Sequence, residues 1–172
     1  MTELLVLRFV HVVASAVWVG TAIFFAVVLA PALGGLGPAA GPTVGALRAR
    51  GLFTFLPTAA VLSIVSGVRL MWIGSSGFSA AYFETAAGSA YGGAGALAIL
   101  AFVLGLLFSR PNGARQGTLA AELAQVTDDA TRQAVQAELA VVRRRGTWIS
   151  AVLTAMLVVS AGGMAVARYL PG

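Results

Sequence analysis

Long apolar stretches alternate with short polar segments along the whole chain. A helix that crosses a bilayer needs about 20 predominantly apolar residues, and four stretches of this chain reach that length. The predicted spans are 4–32, 52–73, 90–108 and 148–170. The pattern predicts an all-α integral membrane protein in which four helices run up and down as one bundle, so that residues 1–172 form a single transmembrane domain.

The polar segments carry the signals that end helices. The segment after the first span contains the run GGLGPAAGPTVG, which is rich in glycine and proline and predicts a loop. Pro111 and Gly113 follow the third span and predict the end of its helix.

The segment 117–145 is too polar to lie in a bilayer. Thr127 is predicted to cap a helix that has Asp128 and Asp129 in its first turn, because acidic residues favour the positive end of the helix dipole. This segment is therefore predicted to be a helical arm in the cytoplasm that leads into the last span. It is either a solvated helical hairpin or a docking arm for a partner.

Composition excludes a water-soluble domain. The chain is 59% hydrophobic and 10% charged, whereas soluble domains carry about 25% charged residues. It has no cysteine, which excludes disulfides and iron–sulfur clusters. Its net charge of +5 arises from arginine, because the chain has no lysine. Since the arginines flank apolar spans, membrane lipids are the predicted partners and nucleic acid is not.

The arginines between the spans are concentrated in the first and third inter-span segments. They are Arg48, Arg50, Arg110, Arg115, Arg132, Arg143, Arg144 and Arg145. The second inter-span segment has no basic residue. Because cytoplasmic segments carry the excess of basic residues, both termini are predicted to lie outside, in a multi-pass protein of the cell inner (cytoplasmic) membrane.

One face of the first span carries polar and aromatic residues at a spacing of three or four. They are Arg8, His11, Ser15 and Trp18. Polar side chains within a membrane normally face the interior of a bundle. The ring of His11, the only histidine of the chain, is therefore predicted to share a polar pocket with Arg69 and Arg8, about 10 Å below the outer surface.

Three ligand chemistries fit such a pocket. Haem b would take His11 as an axial ligand, with Arg8 and Arg69 neutralising its propionates. One histidine allows five-coordinate iron, or ligation by two histidines across a homodimer. A copper(I) ion would combine His11 with Met71 and Met164, because thioethers suit a soft cation. A quinone or another anionic ligand would bind the histidine and the arginines directly.

The same residues also have simpler roles. His11 would hydrogen-bond to Ser66 or to a backbone carbonyl, the arginines would reach outer lipid phosphates, and Trp18 would pack in the core. The sequence has no second histidine, no carboxylate pair within a span and no nucleophile motif, so no catalytic residue is predicted.

Three segments resemble known membrane proteins. The segment RFVHVVASAVWVGTAIFFAVVLAP resembles the first helix of the copper-resistance D (CopD)-like proteins, and LSIVSGVRLMW is similar to their second helix. The segment RRRGTWISAVLTAMLVVSAGGMAVARYL resembles the last helix of their small relatives. HemJ-type protoporphyrinogen oxidases share a similar His-x(6)-Trp start on a four-helix bundle. This resemblance implies haem binding at His11, with Trp18 beside it.

Two functions are therefore expected. The first is a haem- or metal-binding redox membrane protein centred on His11. The alternative is a non-catalytic accessory subunit of a larger membrane complex, which would pack through its arm and through a face of small residues on the last span. That face is formed by Ala151, Ala155, Gly163 and Ala167.

Overall fold

The computed structural model describes residues 2–36 and 40–171, and all regular structure in these residues is helical. The helices are α1 (Thr2–Phe24), α2 (Ala30–Gly35), α3 (Ala40–Ala49), α4 (Leu52–Gly74), α5 (Ala80–Glu84), α6 (Ala86–Leu104), α7 (Arg110–Gln125) and α8 (Asp129–Ala167). Among the described residues, π-helical segments join α1 to α2 (Phe25–Leu29) and α6 to α7 (Gly105–Ser109).

Four continuous helices within the described residues are long and apolar enough to cross a membrane. They are Thr2–Gly35, Leu52–Gly74, Ala86–Gln125 and Asp129–Ala167. The prediction of an all-helical chain with four such helices is therefore confirmed. The first three predicted spans lie within these helices, whereas the fourth runs past the helix end at Ala167.

A proline follows each π-helical segment after one intervening residue. Pro31 follows the first segment and Pro111 follows the second. A proline in an α-helix lacks the N–H donor, and its ring clashes with the carbonyl four residues earlier. A π-helical turn is wider by one residue, so it relieves this clash and the helix continues. The predicted helix end at Pro111 and Gly113 is therefore wrong, because α7 runs on to Gln125.

The first and third long helices carry these features at a constant spacing. The π-helical segments begin at residues 25 and 105, the prolines stand at 31 and 111, and buried alanines stand at 14 and 94. The offset is 80 residues in each case. In each of the two helices, the π-helical segment therefore begins at the same distance along the chain from a buried alanine.

Part of the segment between the first two long helices is helical, although its composition predicts a loop. The run GGLGPAAGPTVG is predicted as a loop, but its second half begins α3, and residues 37–39 of the run lie outside the described residues. Proline is compatible with the first turn of a helix, where the N–H has no partner. Gly51 then adopts a φ of +79°, in the left-handed region that favours glycine, and leads into α4.

The long helices pack mainly in two pairs, α1 with α4 and α6 with α8, and smaller contacts join α1 to α8 and α4 to α6. In the second pair the hydroxyl of Ser160 donates to the carbonyl oxygen of Ala94 at 2.7 Å. Gly163 lies beside Ala94, and Ala167 is completely buried. Small residues therefore bring α8 close to α6, as helix association in lipid requires.

The predicted small-residue face of the last span is only partly correct. Gly163 and Ala167 lie at helix contacts, but Ala151 and Ala155 are exposed. A step of four residues turns about 40° around an α-helix. A stripe with that spacing therefore winds away from its neighbour over several turns.

Helix α7 packs against the first half of α8 as a helical hairpin with its own small core. The core residues are Leu119, Val135 and Leu139. On the surface of the hairpin, Nε of Arg115 donates to Oε1 of Glu138 at 2.9 Å.

The cap of α8 is Asp128 and not Thr127, which corrects the prediction. Oδ2 of Asp128 accepts the N–H of Thr131 at 2.7 Å. Hydrogen bonds from the side chain and backbone of Thr131 lower the pKa of the Asp128 carboxyl. The cap therefore contributes to stability above the ordinary carboxyl pKa, and this contribution is lost as the pH falls through the lowered value.

Gly163→Leu should destabilise the packing of α8 on α6, because even a Cβ at this position would lie 3.3 Å from the Cβ of Ala94. Overpacking of this kind costs about 1–3 kcal/mol. Gly162→Leu is the matched control, because a Cβ there meets no atom within 4 Å. Thermal unfolding in detergent compares the two variants, and equal melting temperatures would contradict the contact.

Candidate ligand site at the contact of α1 and α4

A small polar cluster joins α1 to α4 within otherwise apolar helices. Ser15 and Ser63 contact each other through their hydroxyls at 2.7 Å. Nδ1 of His11 lies 2.8 Å from the carbonyl oxygen of Ser63 and 3.5 Å from the hydroxyl of Ser66. Ser63 and Ser66 are buried. The expectation that His11 hydrogen-bonds to Ser66 or to a backbone carbonyl is confirmed, and the carbonyl is the closer partner.

The hydrogen bond to Ser63 assigns the tautomer of the imidazole. A carbonyl oxygen only accepts hydrogen bonds, so Nδ1 of His11 must carry the proton and donate it. The hydroxyl of Ser66 donates its proton to the carbonyl oxygen of Leu62 at 2.5 Å and not to Nδ1 of His11, which agrees with a proton on Nδ1. When the ring is neutral and its proton is on Nδ1, Nε2 keeps its lone pair.

Gly67 provides the space for the ring. A Cβ on Gly67 would lie 2.7 Å from Cε1 and 3.0 Å from Nδ1 of His11. These distances are shorter than a normal contact between non-bonded atoms, so a Cβ there would push the ring away. The imidazole therefore lies directly against the backbone of α4. Glycine is required at this position for a close approach, and not for an unusual backbone angle.

Nε2 of His11 makes no hydrogen bond to any residue in 2–36 or 40–171. Within the same residues, no buried side-chain nitrogen or oxygen lacks a partner. The Nε2 atom is therefore not enclosed among apolar side chains, but reaches the surface of the helix pair. It can accept a hydrogen bond or bind a metal ion from outside the helix pair.

The two predicted arginines have different surroundings. Nη2 of Arg69 forms an ion pair with Oε1 of Glu3 at 2.7 Å, and its Nε donates to the same oxygen at 2.9 Å. Both side chains are about half exposed. Arg8 is exposed and makes no ion pair or hydrogen bond within the described parts of the chain. No hydrogen bond joins either arginine to His11 in those parts, so Arg8 alone keeps an uncompensated charge on this face.

Trp18 and Met164 lie in other contacts. The ring of Trp18 meets that of Phe102 on α6 edge-on, with centroids 6.0 Å apart. Met164 of α8 lies against Gly95 of α6, whereas His11 lies against α4. Among the described residues, no group of three or more histidine, cysteine, aspartate or glutamate side chains could hold a metal ion.

Sequence reasoning missed three partners in this region, namely Ser63, Gly67 and Glu3. One signal for the first two was present. Ala59, Ser63 and Gly67 are small residues four apart on α4, which is the pattern of a helix that allows close approach. The role of Glu3 had no such signal, because it lies near the start of the chain and pairs across helices.

Comparisons with protein-family models, with curated proteins and with solved structures find no match to this chain.

Gly67→Ala should displace the imidazole and destabilise the protein by about 1–3 kcal/mol, because the added methyl overlaps the ring. In a His11→Ala background the same change should have little effect, because the ring is absent. Gly20→Ala is the control on α1, where a Cβ meets nothing within 4 Å.

Thermal or denaturant unfolding of the four members of this cycle gives the coupling between residues 11 and 67. A coupling near zero would show that the ring does not lie against Gly67.

Proposed function

We propose that this protein is a four-helix up-down bundle of the cell inner (cytoplasmic) membrane, with both termini outside, that binds haem b through Nε2 of His11. The observation that carries the proposal is the 2.8 Å hydrogen bond from Nδ1 of His11 to the carbonyl oxygen of Ser63. In the neutral ring this bond leaves Nε2 with its lone pair, and Nε2 makes no hydrogen bond within the described residues.

Several features support the membrane part of the proposal. The four long helices are apolar enough to cross a bilayer, and many large apolar side chains are exposed along them. Soluble monomers rarely expose apolar patches larger than a few hundred Å², whereas lipid chains cover such side chains at no cost. The arginine-rich segments lie at the ends that the positive-inside rule assigns to the cytoplasm.

The donor chemistry of His11 fits an axial ligand of haem iron. Histidines that bind a metal through one nitrogen almost always donate the other ring N–H to a carbonyl, carboxylate or water, which fixes the tautomer and orients the ring. The carbonyl of Ser63 supplies that partner here. With one histidine per chain, the iron would be five-coordinate, or would be shared between two chains of a homodimer.

The charge around His11 also fits a haem with carboxylate side groups. Arg8 lies one helical turn from His11 towards the outer surface, and its charge is not compensated within the described residues. It could form charge-assisted hydrogen bonds to a propionate. Arg69 is less suited to this role than predicted, because Glu3 already neutralises it.

A bound haem would supply one-electron redox chemistry. The residues of this chain would hold and orient the ligand. Ser63 keeps the proton on Nδ1, Gly67 allows the ring to lie against α4, and Arg8 neutralises a carboxylate near the surface. Trp18 supports the helix contact from the side of α6.

One observation favours a second candidate, the non-catalytic accessory subunit. Within the described residues, the buried polar groups are satisfied by the chain itself, and Arg69 is paired with Glu3. In this alternative the hydrogen bond of His11 only holds α1 to α4, and His11→Phe would be tolerated within about 1–2 kcal/mol.

Purified protein that has been mixed with haem b and then separated from unbound haem should show a Soret band that is lost or shifted in His11→Ala. Added imidazole should restore the band in that variant, because it replaces the missing ligand. Ser15→Ala is the control, since it removes a hydroxyl from the same helix contact without changing the imidazole. A parent protein without a Soret band, or a band unchanged in His11→Ala, would contradict haem ligation by His11 and favour the accessory role.

A further inference from the structure

Two adjoining cavities form a groove along the contact between α6, α7 and α8. The first has a volume of about 250 Å³ and only apolar lining residues, among them Leu104, Trp148 and Leu153. The second, of about 350 Å³, is lined in part by Asn112, Arg115 and Arg145. Both cavities share Phe108 and Ile149 as lining residues. Together they form one amphipathic groove, which is apolar at one end and polar at the other.

The polar end of the amphipathic groove carries the hydrogen-bond donors of Asn112, Arg115 and Arg145, and Asn112 has Gln116 beside it on α7. Nδ2 of Asn112 and Nε2 of Gln116 lie 2.7 and 2.8 Å from the point that a Cβ of Gly146 would occupy. Both amides thus lie close over the backbone of α8, where only glycine leaves room for them. Arg145 lines the same cavity and makes no ion pair or hydrogen bond within the described residues.

The charge at this end is positive even after its one internal ion pair is counted. Arg115 is neutralised by Glu138, whose Oε1 accepts from Nε at 2.9 Å. Arg145 has no counter-charge among residues 2–36 and 40–171, and Arg143 and Arg144 precede it directly in the chain. The amide of Asn112 and the unpaired guanidinium of Arg145 suit a phosphate group, because charge-assisted hydrogen bonds to phosphate are strong.

The apolar end suits an acyl chain. Trp148 is 66% exposed and Phe108 is 53% exposed, so lipid would cover both rings. Basic pockets between transmembrane helices on the cytoplasmic side are a known way in which membrane proteins hold anionic head groups. Apolar lining gives way to positive charge along the amphipathic groove, in the same order as acyl chain gives way to anionic head group along a phospholipid.

We propose that the amphipathic groove binds an anionic phospholipid of the inner leaflet, with its phosphate at Arg145 and Asn112 and an acyl chain along Trp148. The inference rests on the membrane insertion and orientation proposed above, and is independent of haem binding. A zwitterionic phospholipid has the same chains and phosphate but also carries a cationic group, which Arg145 would repel. The groove therefore selects for net negative charge.

The test uses the fluorescence of Trp148 as the only tryptophan, after Trp18→Phe and Trp72→Phe. The full chain is placed in phosphatidylcholine vesicles that contain acyl-brominated phosphatidylglycerol or acyl-brominated phosphatidylcholine. Bromine quenches tryptophan at contact, so the two titrations give the relative binding constant of the two lipids. Phosphatidylglycerol should be preferred, and Arg145→Gln should lower that preference about fivefold, since one arginine near the surface contributes about 1 kcal/mol.

Arg50→Gln is the matched control, because it removes an arginine from the other basic segment and should leave the preference unchanged. A reporter that keeps only Trp72, near the opposite end of the helices, should show no preference. Equal quenching of Trp148 by both lipids, or equal effects of Arg145→Gln and Arg50→Gln, would overturn the lipid site. Absence of quenching at both tryptophans would instead reject membrane insertion, and neither result depends on haem.

Discussion

The hydrogen bond between His11 and the carbonyl of Ser63 is the interaction on which the contact of α1 with α4 and the proposed ligand site both depend. It joins α1 to α4 at 2.8 Å, and it also fixes which ring nitrogen carries the proton. Gly67 makes that geometry accessible, because any side chain there would occupy the place of the ring. In an apolar surrounding, an unpartnered imidazole N–H would cost several kcal/mol. In the proposed function, the same bond that joins the helix pair would also orient Nε2 towards an external ligand.

A second constraint shapes the ends of the helices that face the arginine-rich side. Pro31 and Pro111 would each interrupt an α-helix, and a π-helical turn before each proline allows the backbone to continue. As a consequence, the chain passes directly from the apolar helix α6 into α7. That continuity places Asn112 and Gln116 over Gly146 of α8. The amphipathic groove between these helices follows from the same wide turn that accommodates Pro111.

The sequence predicts the helices of this protein better than it predicts their contacts. A stretch of about 20 predominantly apolar residues is favoured as a helix in lipid, because the helix satisfies its own backbone hydrogen bonds, and the structure contains the four helices expected. The sequence signals for helix ends were misleading, because the rule that proline ends a helix applies to a regular α-helix and not to a helix that contains a π-helical turn. Ala151 and Ala155 were misjudged, since a spacing of four drifts around the helix. The hydrogen bond of His11 to a carbonyl was anticipated, but the pairing of Arg69 with Glu3 was not, because it joins residues distant in the chain.

The single histidine makes the central claim directly measurable. In protein labelled only with ¹⁵N-histidine, the imidazole of His11 gives the only ring-nitrogen signals of the chain. We expect Nδ1 to appear as a protonated nitrogen and Nε2 as an unprotonated one in the absence of haem, and we expect addition of haem b to shift or broaden the Nε2 signal. A proton on Nε2 instead of Nδ1, or an Nε2 signal that haem b leaves unchanged, would contradict the account.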